Sequence, residues 1–117
     1  MDYGQPSKRV AAAFYQLPSG REPVREWLKA LPEADRRTIG NDIATLEWGW
    51  PIGMPLCKSL KHGLWEIRSN LESRRIARVI FCIAAQRIVL LHGFIKKTQK
   101  TPDECIALAQ KRKKEIM

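Results

Sequence analysis

Hydrophobic residues in the first half of the chain recur with the spacing of two helices. The first stripe occupies positions i, i+3, i+4 and i+7 of one helical face: Val24, Trp27, Leu28 and Leu31. The second stripe follows Pro32 with similar spacing: Ile39, Ile43, Leu46 and Trp50. We therefore expect an antiparallel helical hairpin whose apolar faces need a sheet to cover them. A short strand between Lys8 and Leu17 should precede it.

The second half of the chain has the pattern of strands. Leu64 to Ser69, "LWEIRS", alternates, which places Glu66 and Arg68 on one face and the hydrophobic residues on the other. The segments 74–84 and 87–92 are apolar at both parities, as in central strands covered on both faces. Only one or two residues around Ala85 separate them, which predicts a hairpin.

A last helix should begin near Thr101, where Pro102 and Glu104 complete a capping-box pattern. The predicted order is β-α-α-β-β-β-α. This is an α+β domain with an antiparallel sheet, an N-terminal helical hairpin and a C-terminal helix, built from residues 1–117 as one unit. The basic run "KRKK" at 111–114 is expected to be a solvated band on the last helix.

Positive charge is concentrated in the second half. Residues 1–57 carry seven basic and seven acidic side chains, whereas residues 58–117 carry 14 basic and five acidic ones. The net charge of +9 therefore arises entirely after residue 57. A one-sided basic excess favours a polyanionic partner, with nucleic acid ahead of a membrane surface.

Several classes of function are disfavoured. The N-terminus has no segment with the pattern of a signal peptide, and the most apolar stretch, 76–95, is interrupted by charged and polar residues. The cysteines fit neither a disulfide framework nor zinc-ligand spacing. We expect a cytoplasmic protein without a membrane partner, a metal site or a cofactor, because the sequence also has no P-loop and no dinucleotide fingerprint.

Basic residues on neighbouring strands are predicted to meet at one end of the sheet. Arg78 lies inside the most hydrophobic strand, where an unpaired charge is costly. A tight turn at Ala85–Gln86 would place it opposite Gly93. The residues expected to converge there are Arg68, Arg78, His92, Lys96 and Lys97. Phe94 offers a stacking surface, and further RNA contacts are expected from four basic residues: Lys61, Arg74, Arg75 and Lys100.

These residue types suit RNA cleavage without a metal. Attack of a ribose 2′-OH on the adjacent phosphate needs a base, an acid for the leaving 5′-oxygen and cations for the charged transition state. His92 can serve as acid or base, and arginine and lysine can supply the positive charge. Each residue also has an ordinary reading: a strand-end histidine, a structural ion-pair arginine and a solvated lysine turn. Together with the skewed charge they favour a site.

Three motifs resemble the RelE/HigB superfamily of bacterial toxin–antitoxin toxins, and its phage-derived HigB-like branch above all. They are "GLWEIR" at 63–68, an Arg-x-x-Phe from Arg78 to Phe81, and "LLHGFIKKTQKTP" at 90–102. The resemblance covers about residues 8 to 114. It implies a microbial-RNase-like, RelE-like fold and a ribosome-dependent endoribonuclease, an mRNA interferase that cuts mRNA in the ribosomal A site.

The resemblance also implies partners and residue roles. The partners would be the ribosome with its mRNA and a small helix-turn-helix antitoxin, with operator DNA bound only through the toxin–antitoxin complex. Arg68 and Arg78 match positions that bind and stabilise the scissile phosphate. The strand-end site is matched by His92, Phe94, Lys96 and Lys97. Relatives differ in their base and acid, and some use a tyrosine near the C-terminus. Here both tyrosines precede the helices, so either His92 and the lysines transfer the protons or activity is reduced.

Two other functions stay open on the sequence. The chain could be a module of the same fold that binds RNA or an antitoxin without cutting. It could also be a phage-derived regulatory protein that is no longer toxic.

Overall fold

The computed structural model of the protein describes residues 9–96 and 100–116. Within them the chain forms, in order, β1 Ala11–Phe14, α1 Pro23–Lys29, α2 Glu33–Gly49, β2 Cys57–Lys61, β3 Leu64–Asn70, a 3₁₀ turn Glu72–Arg74, β4 Ile76–Ala84, β5 Arg87–Lys96 and α3 Asp103–Ile116. The strands make one sheet in the order β1-β5-β4-β3-β2. Neighbours are antiparallel except β1 and β5, which are parallel.

Helices cover the two faces of this sheet unequally. One face packs on α1 and α2 through a core that includes Val24, Leu28, Ile39, Ile43, Leu46, Ile67, Val79, Phe81, Ile88 and Leu90. The other face packs on α3 through a smaller core that includes Leu64, Ile80, Cys82, Leu91, Cys105 and Ala109. The predicted α+β class is confirmed, together with the helical pair and the C-terminal helix.

The hairpin between β4 and β5 turns where the sequence predicts. Ala84 pairs with Arg87, and both residues between them have positive φ, 50° at Ala85 and 62° at Gln86. This left-handed pair is the backbone that a two-residue hairpin needs, since its twist matches the twist of the flanking strands.

β5 is longer than predicted, because it continues past His92 to Lys96. The pairing shifts by one residue at a bulge, where Phe81 pairs with Leu90 but Ile80 pairs with His92. A bulge bends its strand and re-aims the side chains beyond it. The segment from His92 to Lys96 is therefore part of the sheet rather than a loop after it.

β2 was missing from the predicted order. It is an edge strand with its side chains largely exposed, and its sequence "CKSLK" carries two lysines. Lysines and short length are usual in edge strands, which they protect from pairing with other chains. Such a strand lacks the hydrophobic run by which β3, β4 and β5 were recognised. Within residues 9–96 and 100–116, every helix is too short or too polar to span a bilayer.

Candidate functional site

Arg68, Arg78 and Phe94 form one row across three adjacent strands. Arg68 of β3 pairs with Arg78 of β4, and Arg78 pairs with Phe94 of β5. The row lies on the face that α3 covers, because Phe94 packs against the α3-side core. The predicted partner of Arg78 was Gly93, and the bulge in β5 accounts for the shift of one residue. The convergence of the two arginines with the aromatic ring on one sheet face is therefore a feature of the fold.

His92 and Lys96 lie on either side of Phe94 along β5. His92 pairs with Ile80 and Lys96 pairs with Ile76, so each is two residues from Phe94 along β5. The rings of His92 and Phe94 are stacked, with centroids 5.6 Å apart and planes inclined by 26°. We call the five residues Arg68, Arg78, His92, Phe94 and Lys96 the cationic row. Lys97, the remaining residue proposed for catalysis, lies outside the described residues.

Arg78 is the most deeply buried member of the cationic row, with no exposed surface. Burial lowers the pKa of its guanidinium, an effect that nearby Glu66 opposes and Arg68 reinforces. An arginine in a protein nevertheless keeps its charge. Arg78 thus contributes positive charge from beneath the surface, whereas Arg68, His92 and Lys96 are partly exposed.

Glu66 is a site residue that the sequence reasoning missed. Its carboxylate is fully buried and accepts hydrogen bonds from Arg68 Nε at 3.0 Å and from the Thr101 hydroxyl at 2.5 Å. Thr101 was expected to cap α3, and its hydroxyl donates to Glu66. The signal was present in the strand pattern, because Glu66 lies two residues before Arg68 and so on the same face. One carboxylate therefore joins the arginines of the sheet to the chain that enters α3.

His92 lies two residues beyond Leu90, the last residue of β5 that pairs with β1, and β5 contacts both α1 and α3. The ring lines a cavity of about 230 Å³ together with Pro23, Val24, Trp27, Gly93 and Arg112. Burial and, to a lesser degree, the positive charge of Arg112 lower the pKa of His92. The lowered pKa favours the neutral imidazole, which is able to accept a proton.

The basic band of α3 is not wholly solvated, in contrast to the prediction. Arg112 donates a hydrogen bond to the carbonyl of Leu91 at 2.6 Å and its guanidinium lies 5.3 Å from the centre of the Tyr15 ring. Lys113 donates to the carbonyl of His62 at 2.7 Å. Two of the four basic residues thus fasten α3 to the sheet and to the turn before β3.

Tyr15 has a structural position rather than that of a catalytic acid. It is buried, its hydroxyl donates to the carboxylate of Glu115, and Arg112 covers its ring. That hydrogen bond, followed by burial, raises the pKa of the phenol. Among the described residues, no other tyrosine is available to the cationic row.

The other residues expected to bind RNA are spread over the surface. Lys61 and Lys100 line a cavity of about 220 Å³ with a third lysine, Lys58. Arg74 is exposed in the 3₁₀ turn. Arg75, the residue before β4, binds both carboxylate oxygens of Asp35 at 2.8 and 3.0 Å, so its guanidinium also ties this part of the chain to α2.

The three cysteines are free and buried, and burial raises the pKa of each thiol, to about 11 at Cys57. Within residues 9–96 and 100–116, no three His, Cys, Asp or Glu side chains come close enough to share a metal ion.

The fold and the cationic row define a small α+β protein with a positively charged sheet face. The sequence from residue 26 to residue 114 matches the family model described as phage derived protein Gp49-like. The chain therefore belongs to this phage-derived family, which is associated with toxin–antitoxin systems. Comparison with curated proteins gives no match.

Proposed function

We propose that the protein is the toxin of a type II toxin–antitoxin system and acts as a metal-independent endoribonuclease on mRNA in the ribosome. Membership of a toxin–antitoxin-associated family supports the toxin role. The observation that carries the enzymatic part is the cationic row, where Arg68, Arg78 and Phe94 share one line across the sheet. Phosphate recognition needs cationic donors, and an unstacked base needs an aromatic plane.

The proposed reaction divides between a proton acceptor and a set of cations. The base removes the proton of the 2′-OH, the 2′-oxygen bonds to phosphorus, and the bond from phosphorus to the 5′-oxygen breaks as an acid protonates that oxygen. The products are a 2′,3′-cyclic phosphate and a 5′-hydroxyl. His92 is the favoured base because its lowered pKa keeps it neutral. Lys96 is the proposed acid, with Lys97 as the alternative.

The arginines would stabilise the charge that develops on the phosphate. Arg68 is partly exposed and held by Glu66, so its guanidinium is oriented before any substrate binds. Arg78 would act from below through its buried charge, which is poorly screened by water. Phe94 would stack on the nucleobase beside the scissile phosphate.

Induction in bacteria tests the toxin role. We expect growth arrest on expression of the wild type and relief of the arrest when the neighbouring reading frame is expressed as well. His92→Ala and Arg78→Ala should each abolish the arrest, and Lys111→Ala, which removes an exposed charge of α3, should preserve it. Because loss of a buried arginine also threatens folding, His92→Ala decides the test, with circular dichroism as the check on structure. Full toxicity of His92→Ala would exclude the proposed site.

A non-catalytic binding module is the second candidate. The observation that favours it is the ion pair of Arg68 with the buried Glu66, because a purely structural polar network would look the same. Such a module would bind the antitoxin or the ribosome, and expression would create no new 5′ ends in cellular mRNA. The proposed antitoxin is a helix-turn-helix protein, and operator DNA would bind only to its complex with this chain.

A further inference from the structure

The cavity beside His92 has the size and position of a small binding pocket. Its volume of about 230 Å³ lies below the roughly 300–1,000 Å³ of sites for drug-sized ligands, so it suits a single ring system. It opens at the edge of β5 beyond the last residue paired with β1, Leu90. It lies beside the cationic row and shares His92 with it.

An aromatic ring is fixed in this cavity. The indole of Trp27 lies against Gly93, where a Cβ atom would come within 2.5 Å of Cε3 and Cζ3 of the indole. Only glycine therefore allows the ring to approach the β5 backbone this closely. Trp27 is partly exposed and lines the cavity, so it offers a stacking plane to a ligand.

Two polar side chains complete the lining. Arg112 is held by the Leu91 carbonyl and by the Tyr15 ring, which fixes the direction of its guanidinium. His92 lines the same cavity, so its ring borders the space that Arg112 faces. A neutral imidazole offers one donor and one acceptor, and a guanidinium offers several donors. This set matches the edge of a nucleobase better than it matches an aliphatic side chain.

We propose that this cavity binds one nucleobase of single-stranded RNA, stacked on Trp27 and hydrogen-bonded by His92 and Arg112. The proposal rests on the proposed function, because His92 stacks on Phe94, which lies opposite Arg78. A base in the cavity would thus neighbour a phosphate at the cationic row. The pocket would decide which base flanks the cut, independently of the codon read by the ribosome.

Titration of the full-length protein with single nucleosides tests the pocket without requiring cleavage. The probes are adenosine, guanosine, cytidine and uridine, with inorganic phosphate as a separate titrant, and the readouts are the NMR signals of the Trp27 indole and the His92 ring. We expect at least one nucleoside to shift both signals. Trp27→Leu should weaken its binding about tenfold, in the range measured for loss of one base–aromatic stack.

Matched variants separate the pocket from general effects. Trp48→Leu removes an exposed tryptophan of α2 and should leave nucleoside binding unchanged. Trp27→Phe keeps an aromatic plane and should retain most of the binding, which controls for damage to folding in Trp27→Leu. Arg112→Lys should weaken binding more than Lys111→Ala, its exposed neighbour.

The outcomes distinguish this proposal from the proposed function. A protein that binds nucleosides at Trp27 but never cuts RNA would retain the pocket and refute the enzyme. A protein that cuts RNA, shows no response to any nucleoside and keeps its cleavage sites in Trp27→Leu would refute the pocket alone. Shifts produced equally by inorganic phosphate would also overturn it in favour of an anion site.

Discussion

The carboxylate of Glu66 lies fully buried between the guanidinium of Arg68 and the hydroxyl of Thr101. A buried carboxylate is tolerated only when its oxygens are hydrogen-bonded and its charge is balanced. Glu66 therefore depends on both neighbours, and Arg68 of the cationic row depends on Glu66 for its orientation. Stability and the geometry of the candidate site are linked through this one residue.

Thr101→Val should destabilise the protein by about 1–3 kcal/mol, the cost of leaving one oxygen of a buried polar group without its hydrogen bond. The shape of the side chain is nearly unchanged, so the loss reports the hydroxyl. Denaturant unfolding measures it. The matched change Thr45→Val, at an exposed position of α2 whose hydroxyl bonds to the Asn41 carbonyl, should have a much smaller effect. Equal losses of unfolding free energy in both variants would show that the hydrogen bond to Glu66 contributes no more than an exposed one.

The ion pair between Arg75 and Asp35 should make stability depend on pH. The Arg75 hydrogen bonds lower the pKa of Asp35 below its unfolded value, so the ionised carboxylate is favoured in the folded state. The stabilisation is complete above the unfolded pKa, near 4, and disappears as the pH falls through the folded pKa. Thermal melts should show Asp35→Asn below the wild type at pH 7, with the difference shrinking at acid pH.

The control for this prediction is Glu26→Gln. Glu26 pairs with Arg21 in an exposed ion pair, and such pairs contribute little. A difference for Asp35→Asn that did not change with pH would assign the effect to packing instead of charge.

The sequence was enough to predict which residues share a face of the sheet, but not how deeply each of them is buried. Strand alternation was enough to place Arg68 and Glu66 on one face, and the hairpin was enough to bring Arg78 near Phe94. Whether Arg78 reaches solvent depends on how α3 and the chain before it settle on that face. That packing involves residues far apart in sequence, so no local pattern reports it.

At the scale of elements, β5 determines the form of the site. The bulge after Leu90 and the continuation to Lys96 place His92, Phe94 and Lys96 at alternate positions. The sequence pattern ended the strand at His92, because a histidine and a glycine followed by lysines resemble a strand exit. A bulge is a product of strand pairing and twist, and so it leaves only a weak trace in sequence.

The turn between β4 and β5 should be open to stabilisation. Ala85 and Gln86 both adopt positive φ, which costs energy for residues with a Cβ atom. Replacing them with Asn and Gly, the preferred pair for this hairpin turn, should raise the free energy of unfolding by about 0.5–2 kcal/mol. Gln16→Gly, at a residue whose own φ is not positive, should give no gain. Denaturant midpoints of the two variants decide the point, and a gain from Gln16→Gly would contradict this explanation.

The contact of α3 with the sheet through Arg112 could have been predicted from the spacing of residues along the helix. Cys105, Ala109 and Arg112 follow one another at four and three residues, so the arginine continues the apolar face of the helix. A run of basic residues suggests a solvated surface. For that reason Arg112 was not recognised as part of the buried face of the helix. Arginine can bury its stem while its guanidinium finds a carbonyl, as Arg112 does at Leu91.

At the scale of the whole molecule, the fold class followed from the order of helical and strand patterns, but the sheet topology did not. The parallel pairing of β1 with β5 joins the first strand to the last, across the entire chain. No local pattern specifies such a contact. The edge strand β2 was likewise invisible, since it contributes few buried hydrophobic residues.

The basic excess of residues 58–117 should appear in the salt dependence of RNA binding. Lys58, Lys61 and Lys100 line one cavity and are exposed. Replacing all three with alanine should reduce the slope of log K against log salt for a single-stranded RNA by about 2, since each phosphate contact contributes about 0.7. Fluorescence anisotropy at several salt concentrations measures the slope.

The control replaces three exposed basic residues from the neutral half of the chain: Lys29, Arg36 and Arg37. It removes the same amount of positive charge, but from outside the lysine cavity. The slope should therefore stay closer to that of the wild type. Equal reductions in the two variants would show that only net charge matters and that the lysine cavity is no RNA contact.

Mapping of mRNA 5′ ends in a purified translation reaction tests the central claim most directly. We expect the wild type and Lys111→Ala to create new 5′-hydroxyl ends within translated codons, and none on the same RNA without ribosomes. His92→Ala should lower the rate of cutting by at least about 100-fold, as loss of a general base does. An absence of new ends with the wild type, or undiminished cutting by His92→Ala, would contradict the account.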